Sequence, residues 1–562
     1  MIRIFSRELG IGIGVFVALA SASFGQGRTA TASTIQTGPG GAVVTTTNGA
    51  PTGPATTGGG TENLVIGSAL WTRASTDWTP KVVSLGAQGT QVFSQIEFGQ
   101  DHAELISGFS PNPATPVWTS NVNVAGMNAY CESAETTDAH ATVHQIVQNN
   151  QQWNRQAVVS RWRSGSSTPV WNWTFPITTS GLSRVGMSAD GTRIVAATIY
   201  PSEMRLRLAV FEGMSGTPVY TGEIANFGLH LRGFELSADG NTLYLSSNGM
   251  IHIWNVNTRT TVHQVVLPGM FDSHALSGDG RVFAWGEFNR YHVYERNAGG
   301  GYTKTHMREL AGSVVCDRLG LSANGATLVA GWHYYDLNLR VRVEALDVTT
   351  KAITMSDEAQ GTGTFQNVVS SVSVSDDGQR FAVGLWGDEG NVVPEVRIYR
   401  RNQNTPVGLH NLSGSVHDLE MSGDGERIAV AWKPVHANTF AGGGGFSLYP
   451  FDTMDFGVTG VPGLGDTITV ELSGPANAPA RLLWSRGQAT TPNVFPGIGT
   501  LQLRRSDMVS VPIGTSDASG SAMSTFTLPG AANQVGQSLY FQGYFTAPRR
   551  LTSDWARVTI LP

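Results

Sequence analysis

Short runs of alternating apolar and polar residues fill the chain from about residue 63 onward, and Gly, Asn, Asp and Pro separate these runs. Alternation with a period of two is typical of half-buried strands. No convincing amphipathic helix longer than three turns interrupts the pattern. The pattern therefore predicts an all-β fold.

One phrase recurs six times: an apolar stretch ends in Ser, two small or polar residues and a Gly follow, and a second alternating stretch begins. The copies start at Met187, Leu236, Leu276, Leu321, Val374 and Met421. Ser and Asp oxygens can accept nearby backbone N–H groups, and Gly adopts the left-handed conformation that a tight turn needs. We interpret each copy as a hairpin turn. Most copies have an Asp directly before the Gly, which could also be a calcium ligand. A calcium loop, however, needs more oxygen ligands at fixed spacing than these aspartates supply.

The spacing of these turns predicts a repeat architecture. The turn glycines are 49, 40, 45, 53 and 47 residues apart; they are Gly191, Gly240, Gly280, Gly325, Gly378 and Gly425. A period of this length with several strands per unit is typical of a β-propeller blade. In the third unit we expect four strands, at residues 183–189, 192–200, 205–213 and 218–224.

A second repeated phrase, Thr-Pro-Val, begins at residues 115, 168, 217 and 405. Its distance from the turns predicts two further turns, at Gly89 and near His140. Proline at the start of a strand is typical of an outer edge, where no neighbour needs its missing N–H. We therefore predict eight blades between residues 63 and 455, with seven as the alternative. A strand within residues 63–74 is expected to complete the last blade and close the ring.

Residues 250–264, MIHIWNVNTRTTVHQ, resemble the end of a WD40 repeat, with Asn255 where that family has Asp. The other units lack the Trp-Asp dipeptide. The chain thus resembles a divergent WD40-like or quinoprotein-like β-propeller. This resemblance implies a fold and no activity.

A different strand pattern occupies residues 456–562, and its length suits a β-sandwich. The segments LLWS at 482–485, TSDASGSA at 515–522, VGQSLYFQGYF at 535–545 and the final LTSDWARVTI resemble a C-terminal module of secreted bacterial proteins. The resemblance implies display, attachment or partner binding outside the cell.

The N-terminus predicts export. Arg3 and Arg7 precede an apolar run from about Gly10 to Leu19, and small residues follow, so we predict a signal peptide at residues 1–25. Residues 26–62 are rich in Gly, Thr, Ala and Pro and are expected to form a disordered linker. The mature chain is expected to have no transmembrane segment and to be secreted, at the cell surface or periplasmic.

The charge pattern argues against nucleic-acid binding, because 14% charged residues and a net charge of -6 provide no basic stripe for phosphates. Cys131 and Cys316 are the only cysteines. The repeat map places them on opposite sides of the ring, so we expect two buried free thiols, with a disulfide as the alternative.

No catalytic residue, metal site or cofactor is predicted. His140 and His144 are four residues apart but lack the Glu of a zinc-protease helix. The chain also lacks the adjacent cysteines and the repeated Trp docking phrase of the propeller quinoproteins. A propeller lactonase holds its metal with residues from several blades, and spacing alone leaves that alternative open.

One aromatic group suggests a ligand site. Trp332, Trp386 and Trp432 lie seven or eight residues after their turn glycines, near the ends of the second strands of their blades. Tyr335 and Asp388 follow closely. Flat rings beside hydrogen-bonding groups suit a sugar or a peptide chain. The alternative is that these tryptophans pack between blades.

We therefore expect an exported, non-catalytic β-propeller scaffold that binds a carbohydrate or protein partner outside the cytoplasm. Two alternatives are a propeller enzyme, such as a lactonase, lyase or hydrolase, with a metal in the central channel, and a structural component of a surface layer.

Overall fold

The chain folds into β-sheets, in agreement with the predicted fold class. A computed structural model describes residues 37–38, 41–43, 69 and 71–560. Short gaps within the last range are not described: 77–78, 87–90, 98–101, 108–115, 122–129, 148–154, 177–181, 201, 248, 268–272, 336–338, 437–442, 452–455, 460–464, 475–476, 496–498, 518–520, 529–530 and 547–548. The predicted signal peptide and most of the predicted linker lie outside the described residues.

The described residues of Ala69–Phe451 belong to one compact unit, which contains eight four-stranded antiparallel sheets. Sheet 1 has the strands Thr79–Gly86, Gln91–Glu97, His102–Ser107 and Trp118–Asn121. Sheet 2 has Tyr130–Ser133, Ala139–Val147, Arg155–Arg163 and Trp171–Thr174. Sheet 3 has Ser183–Met187, Arg193–Tyr200, Arg205–Glu212 and Tyr220–Ile224. Sheet 4 has Gly233–Leu236, Thr242–Ser247, Met250–Asn255 and Thr260–Val266.

The second half of this unit repeats the arrangement. Sheet 5 has His274–Leu276, Val282–Glu287, Arg290–Arg296 and Tyr302–Glu309. Sheet 6 has Val314–Leu321, Thr327–Tyr334, Arg340–Asp347 and Ile353–Gln360. Sheet 7 has Val369–Val374, Arg380–Leu385, Val396–Arg400 and Gly408–His410. Sheet 8 has Val416–Met421, Arg427–Trp432, Gly444–Pro450 and, from the N-terminal side of the chain, Trp71–Ser75.

The sheets follow one another around a closed ring. The first strand of each sheet contacts the first strand of the next, and the first strand of sheet 8 contacts that of sheet 1. Sheet 8 takes its outer strand from the start of the unit: Trp71 pairs with Leu448, which confirms the predicted closing strand. This arrangement is compatible with a propeller-like fold. Hydrophobic clusters fill the space between neighbouring sheets, for example where Val293 of sheet 5 and Trp332 of sheet 6 belong to one cluster.

The repeated phrase forms the turn between the first and second strands, as predicted. In sheet 4, Ser237 donates its hydroxyl hydrogen to Asp239 Oδ1 at 2.5 Å and accepts the Thr242 N–H at 2.9 Å. Gly240 has a φ of 71°. A Cβ there would lie 3.0 Å from the Arg193 side chain of the preceding sheet, so the position needs glycine for its conformation and for space. We call the end of the ring with these turns the turn end, and the opposite end the connection end.

The turns also join one another. An amide N–H of each turn donates to a carbonyl of the next, which forms a backbone belt from sheet 2 to sheet 8. The bonds run from Thr136 to Ala189, Ala189 to Ala238, Ala238 to Gly278, Asp279 to Ala323, Asn324 to Asp376, and Asp376 to Gly423, with N···O distances of 2.8–3.2 Å. The residue after the turn serine is small in most copies because the belt brings these positions together. A Cβ on Gly278 would lie 2.8 Å from the Ala323 Cβ.

Two positions differ in detail from the sequence predictions. The turn expected near His140 spans residues 134–139, where the Ala134 N–H donates to Ala139 O, and His140 lies in the following strand. The turn predicted at Gly89 lies outside the described residues. Each Thr-Pro-Val phrase precedes the last strand of its sheet, which is an outer edge in sheets 1, 2, 3 and 7.

The second compact unit contains the described residues of Asp452–Pro562 and the short strands Thr37–Gly38 and Gly41–Val43. A six-stranded sheet has the order Thr37–Gly38, Gly41–Val43, Arg549–Thr559, Ser538–Thr546, Pro479–Ser485 and Val509–Thr515. A three-stranded sheet contains Phe456–Thr459, Thr467–Ser473 and Ser521–Thr527, and a two-stranded sheet contains Gln488–Phe495 and Gly499–Leu503. Short 3-10 helices occupy Arg505–Asp507 and Ala532–Gln534. A hydrophobic cluster joins the two larger sheets, and the predicted β-sandwich stays a prediction.

Cys131 and Cys316 are both buried and neither forms a disulfide bond, as predicted. Burial raises the pKa of the Cys316 thiol well above its ordinary value. Across the part of the chain that is described, no helix has the length and apolar character needed to cross a membrane.

Candidate functional site

A cavity of about 470 Å³ lies at the turn end of the ring. First strands and turns of several sheets line it, and acidic side chains dominate its polar surface. Six of them come from sheets 2, 4, 7 and 8: Glu132, Glu135, Glu235, Asp376, Glu420 and Asp424. Among the described lining residues there is no lysine, arginine or histidine. We call these six residues the acidic ring.

Three members of the acidic ring occupy the same position of the repeat. Glu235 and Glu420 lie two residues before their turn serines, and Glu132 lies two residues before Ala134, which takes the place of the serine. Each first strand lies at the inner edge of its sheet, so some of its N–H groups lack a strand partner. The Leu276 N–H donates to Glu235 Oε2 at 2.8 Å, and the Leu85 N–H donates to Glu420 Oε2 at 3.0 Å. These two carboxylates therefore join neighbouring sheets.

Glu132, Glu135 and Asp376 differ from those two, because within the described residues their carboxylates accept no hydrogen bond. Glu135 and Asp376 occupy the belt position that holds Ala or Gly in sheets 3 to 6 and in sheet 8. Three carboxylates thus border the cavity with unused acceptor oxygens. Both oxygens of each of these three carboxylates are available to a ligand.

The pKa values of five carboxyl groups at this cavity are raised; they belong to Glu132, Glu135, Glu235, Asp376 and Glu420. Burial, together with the nearby charges of Glu235, Glu135 and Asp418, raises the pKa of Glu132 to about 8. Burial and the charge of Asp376 raise the pKa of Glu135 to about 7, and burial raises that of Glu235 to about 8. All three side chains are only partly buried because they border the cavity. These carboxyl groups therefore retain their protons at pH values at which isolated carboxyl groups would have lost them.

The acidic ring surrounds a space and does not converge on a point. Within the described part of the chain, no group of three His, Cys, Asp or Glu side chains is close enough to hold a metal ion. Calcium requires six to eight oxygen ligands at 2.3–2.6 Å. The described arrangement suits a larger cation that fills part of the cavity.

The five residues predicted to bind a ligand lie toward the connection end. Trp332 is fully buried, with its ring 5.6 Å from that of Tyr291 of sheet 5, so in this conformation it presents no face to a ligand. Trp386 and Trp432 are half-buried, and the Trp432 indole N–H donates to Ser447 Oγ at 3.1 Å.

Asp388 and Tyr335 have opposite environments. Asp388 is buried, and its carboxylate accepts the N–H groups of Thr362, Val392 and Val393 at 2.8–3.0 Å, so it holds a connection in place. Tyr335 is 57% exposed. Of these five residues, Tyr335 offers the most open ring.

Three histidine–carboxylate pairs also lie toward the connection end. His292 Nε2 is 2.9 Å from Glu287 Oε1, His333 Nδ1 is 2.6 Å from Asp317 Oδ1, and His436 Nε2 is 2.9 Å from Glu395 Oε1. These pairs were not predicted from the sequence. Their partners come from different strands or connections, and no fixed spacing along the chain relates them.

His140 and His144 face protein. His140 Nδ1 is 2.8 Å from Ser133 Oγ, and burial lowers its pKa to about 3. Burial lowers the pKa of His144 to about 4. Both imidazoles are therefore neutral under ordinary conditions.

The acidic ring was not predicted from the sequence either. One signal for it was present: aligning the copies on the turn serine places Glu235 and Glu420 at one position of the first strand. First strands of a closed ring of sheets surround its axis, so an acidic residue repeated there indicates an acidic channel.

No protein-family model matches the chain, and no curated protein matches it.

Proposed function

We propose that the protein is an exported, non-catalytic binding scaffold, built from an eight-bladed β-propeller and a C-terminal β-sandwich. In this proposal, the acidic ring receives a cationic side chain of a protein partner. The observation that carries the proposal is the cavity of about 470 Å³ bordered by six carboxylates, with no basic residue among its described lining.

The volume supports a side chain as the occupant, because pockets for organic ligands measure roughly 300–1,000 Å³. Glu132, Glu135 and Asp376 have unused acceptor oxygens on different parts of the wall. A guanidinium group carries five N–H donors in a planar fork and stays charged at all relevant pH values. Arginine can therefore satisfy several of these carboxylates at once.

The raised pKa values give the binding a defined pH dependence. A bound cation stabilises the ionised carboxylates, so binding must release the protons that the empty ring retains. Arginine does not titrate in this range, so any change in affinity reports on the protein. Affinity should rise with pH through the interval from about 7 to about 8, where Glu135, Glu132 and Glu235 lose their protons.

The test is titration calorimetry of the full mature chain with a hexa-arginine peptide, in buffers of different ionisation enthalpy. We expect saturable binding that weakens with salt, strengthens with pH and releases protons. The Glu132→Gln variant should lower the affinity about tenfold, because it removes one unpaired carboxylate from the cavity.

The matched control is Glu212→Gln, which removes the same charge from the outer surface. Glu212 forms an exposed ion pair with Arg193 at 2.8 Å, and such pairs contribute little to stability. Equal effects of both variants would assign binding to the net charge of the chain and refute the proposed site. Absence of binding by the unmodified chain would refute it as well.

A further inference from the structure

Asp317 occupies an irregular position in the first strand of sheet 6. The register with the second strand shifts between Cys316 and Arg318, so Asp317 is a bulged residue. Equivalent shifts occur in sheets 7, 8 and 1, between residues 369 and 371, 416 and 418, and 80 and 82. A bulge re-aims a side chain, and bulges are frequent beside functional sites.

The carboxylate of Asp317 is fixed by two contacts. Its Oδ1 lies 2.6 Å from His333 Nδ1, and its Oδ2 accepts the Val369 N–H of sheet 7 at 3.0 Å. Both side chains of the pair are 6% exposed. Since a carboxylate only accepts hydrogen bonds, Nδ1 of His333 carries a proton, and in the neutral imidazole Nε2 presents a lone pair.

This lone pair has no donor. His333 Nε2 is buried, and no described residue donates a hydrogen bond to it. A buried acceptor left unpaired costs about 1–3 kcal/mol, and folded proteins leave few such groups. A ligand hydroxyl that reached Nε2 would supply the missing hydrogen-bond donor.

The nearest described ring is that of Tyr335, whose centroid lies 4.6 Å from the imidazole at an interplanar angle of 75°. At 57% exposure, Tyr335 can rotate off the imidazole with little loss of packing. The pair in sheet 5 differs, because the ring that stacks on His292 belongs to the buried Trp285. Sheet 6 thus places an exposed aromatic ring beside a buried imidazole that has an unpaired nitrogen.

We propose that Tyr335 and His333 form a binding subsite for a neutral carbohydrate at the connection end of the ring. The apolar face of a sugar ring packs on Tyr335, and one hydroxyl donates a hydrogen bond to His333 Nε2. Aromatic rings and a few oriented polar groups are the elements that such a ligand requires. Asp317 acts as a positioning residue, because it holds the imidazole in the accepting tautomer. The proposal is independent of the acidic ring, which lies at the turn end.

The experiment observes the imidazole directly. Chain labelled with 15N-histidine is titrated with cellotetraose, mannotetraose and chitotetraose, and the His333 Nε2 resonance is assigned from the His333→Gln variant. We expect at least one of these sugars to shift this resonance in a saturable manner. A Nε2 resonance that none of the three moves would overturn the proposal, and it would leave a bound water as the donor.

Substitutions at Tyr335 separate binding from folding, because the side chain is exposed. Tyr335→Ala should lower the affinity for the active sugar about tenfold, and Tyr335→Phe should retain it, since the ring supplies the contact. Equal affinity of Tyr335→Ala and the unmodified chain would also overturn the proposal. Glu132→Gln should leave sugar binding unchanged, which separates this site from the acidic ring.

Discussion

Replacing Glu235 by Gln should make the protein more stable at high pH. Gln keeps an oxygen to accept the Leu276 N–H, which Glu235 accepts at 2.8 Å, and it removes the charge. The pKa of Glu235 is raised from 4.5 to about 8 by burial. Between these values the unfolded chain loses a proton that the folded chain retains, so the stability of the unmodified protein falls as pH rises.

The size of the effect follows from the same shift. A shift from 4.5 to about 8 corresponds to about 5 kcal/mol at about 1.4 kcal/mol per pKa unit. That figure is the limit for a dry cavity. Glu235 is only partly buried at the edge of the cavity, so solvent screening lowers this figure, and we expect Glu235→Gln to stabilise the protein by about 1–3 kcal/mol above pH 8. Below pH 4.5 the carboxyl is neutral in both states, and the two proteins should be equally stable.

The assay is urea unfolding followed by tryptophan fluorescence across the interval from pH 4.5 to above pH 8. Of the 14 tryptophans, only Trp484 and Trp555 lie outside the ring unit, so the signal reports mainly on the ring. The free energy of unfolding is obtained by linear extrapolation. Glu235→Gln should gain stability over the unmodified protein steadily through this interval.

Asp190→Asn is the control with the opposite sign. The hydrogen bond from Ser188 is the largest cause that lowers the pKa of Asp190 below 3.8. The ionised form therefore stabilises the fold above that pH, and the stability is lost as pH falls through the lowered pKa. From pH 4.5 to above pH 8, Asp190→Asn should be less stable than the unmodified protein by a constant amount, whereas Glu235→Gln gains stability. If Glu235→Gln and the unmodified protein differ in stability by nothing, or by an amount independent of pH, burial does not raise the pKa of Glu235 in the way described.

Four other outcomes are expected. Deleting residues 1–75 should abolish the cooperative thermal unfolding of the ring, measured by calorimetry against a deletion of residues 1–62, and identical transitions would contradict the closure. Ser237→Ala should lower the free energy of urea unfolding by about 1–3 kcal/mol, because a buried amide loses its acceptor; no loss would count against the turn network. Thiol titration without reductant should detect Cys131 and Cys316 only after unfolding. The pKa of His140, measured by NMR, should lie near 3, and a value above 6 would contradict its burial.

The parts of the fold that depend on local chemistry were predictable from the sequence. A turn such as that at Gly240 needs a residue that adopts the left-handed backbone conformation and nearby oxygen acceptors. Both needs are met by particular residue types, which can be recognised in the sequence. The closing strand was also predictable, because the last repeat lacked a strand and an unassigned one preceded the first repeat.

The candidate sites were less accessible, because they depend on contacts between distant residues. Asp317 and His333 meet because a bulge re-aims one side chain toward the next strand, and a bulge in a first strand has no clear sequence pattern. Trp332 was expected beside open polar groups, and whether such a ring faces a ligand or a neighbouring sheet depends on packing that one sequence does not reveal.

The closing strand also determines when the ring can form. Thr72 and Ser447 are 375 residues apart in the chain, and their hydroxyls lie 2.9 Å apart across the final pairing. Bringing two such distant segments together costs about 5 kcal/mol of chain entropy. During synthesis the strand Trp71–Ser75 remains unpaired until almost the whole ring unit has been made. Sheets 1 to 7 can form in succession, but sheet 8 is completed last, so an interrupted chain exposes an open sheet edge that favours aggregation.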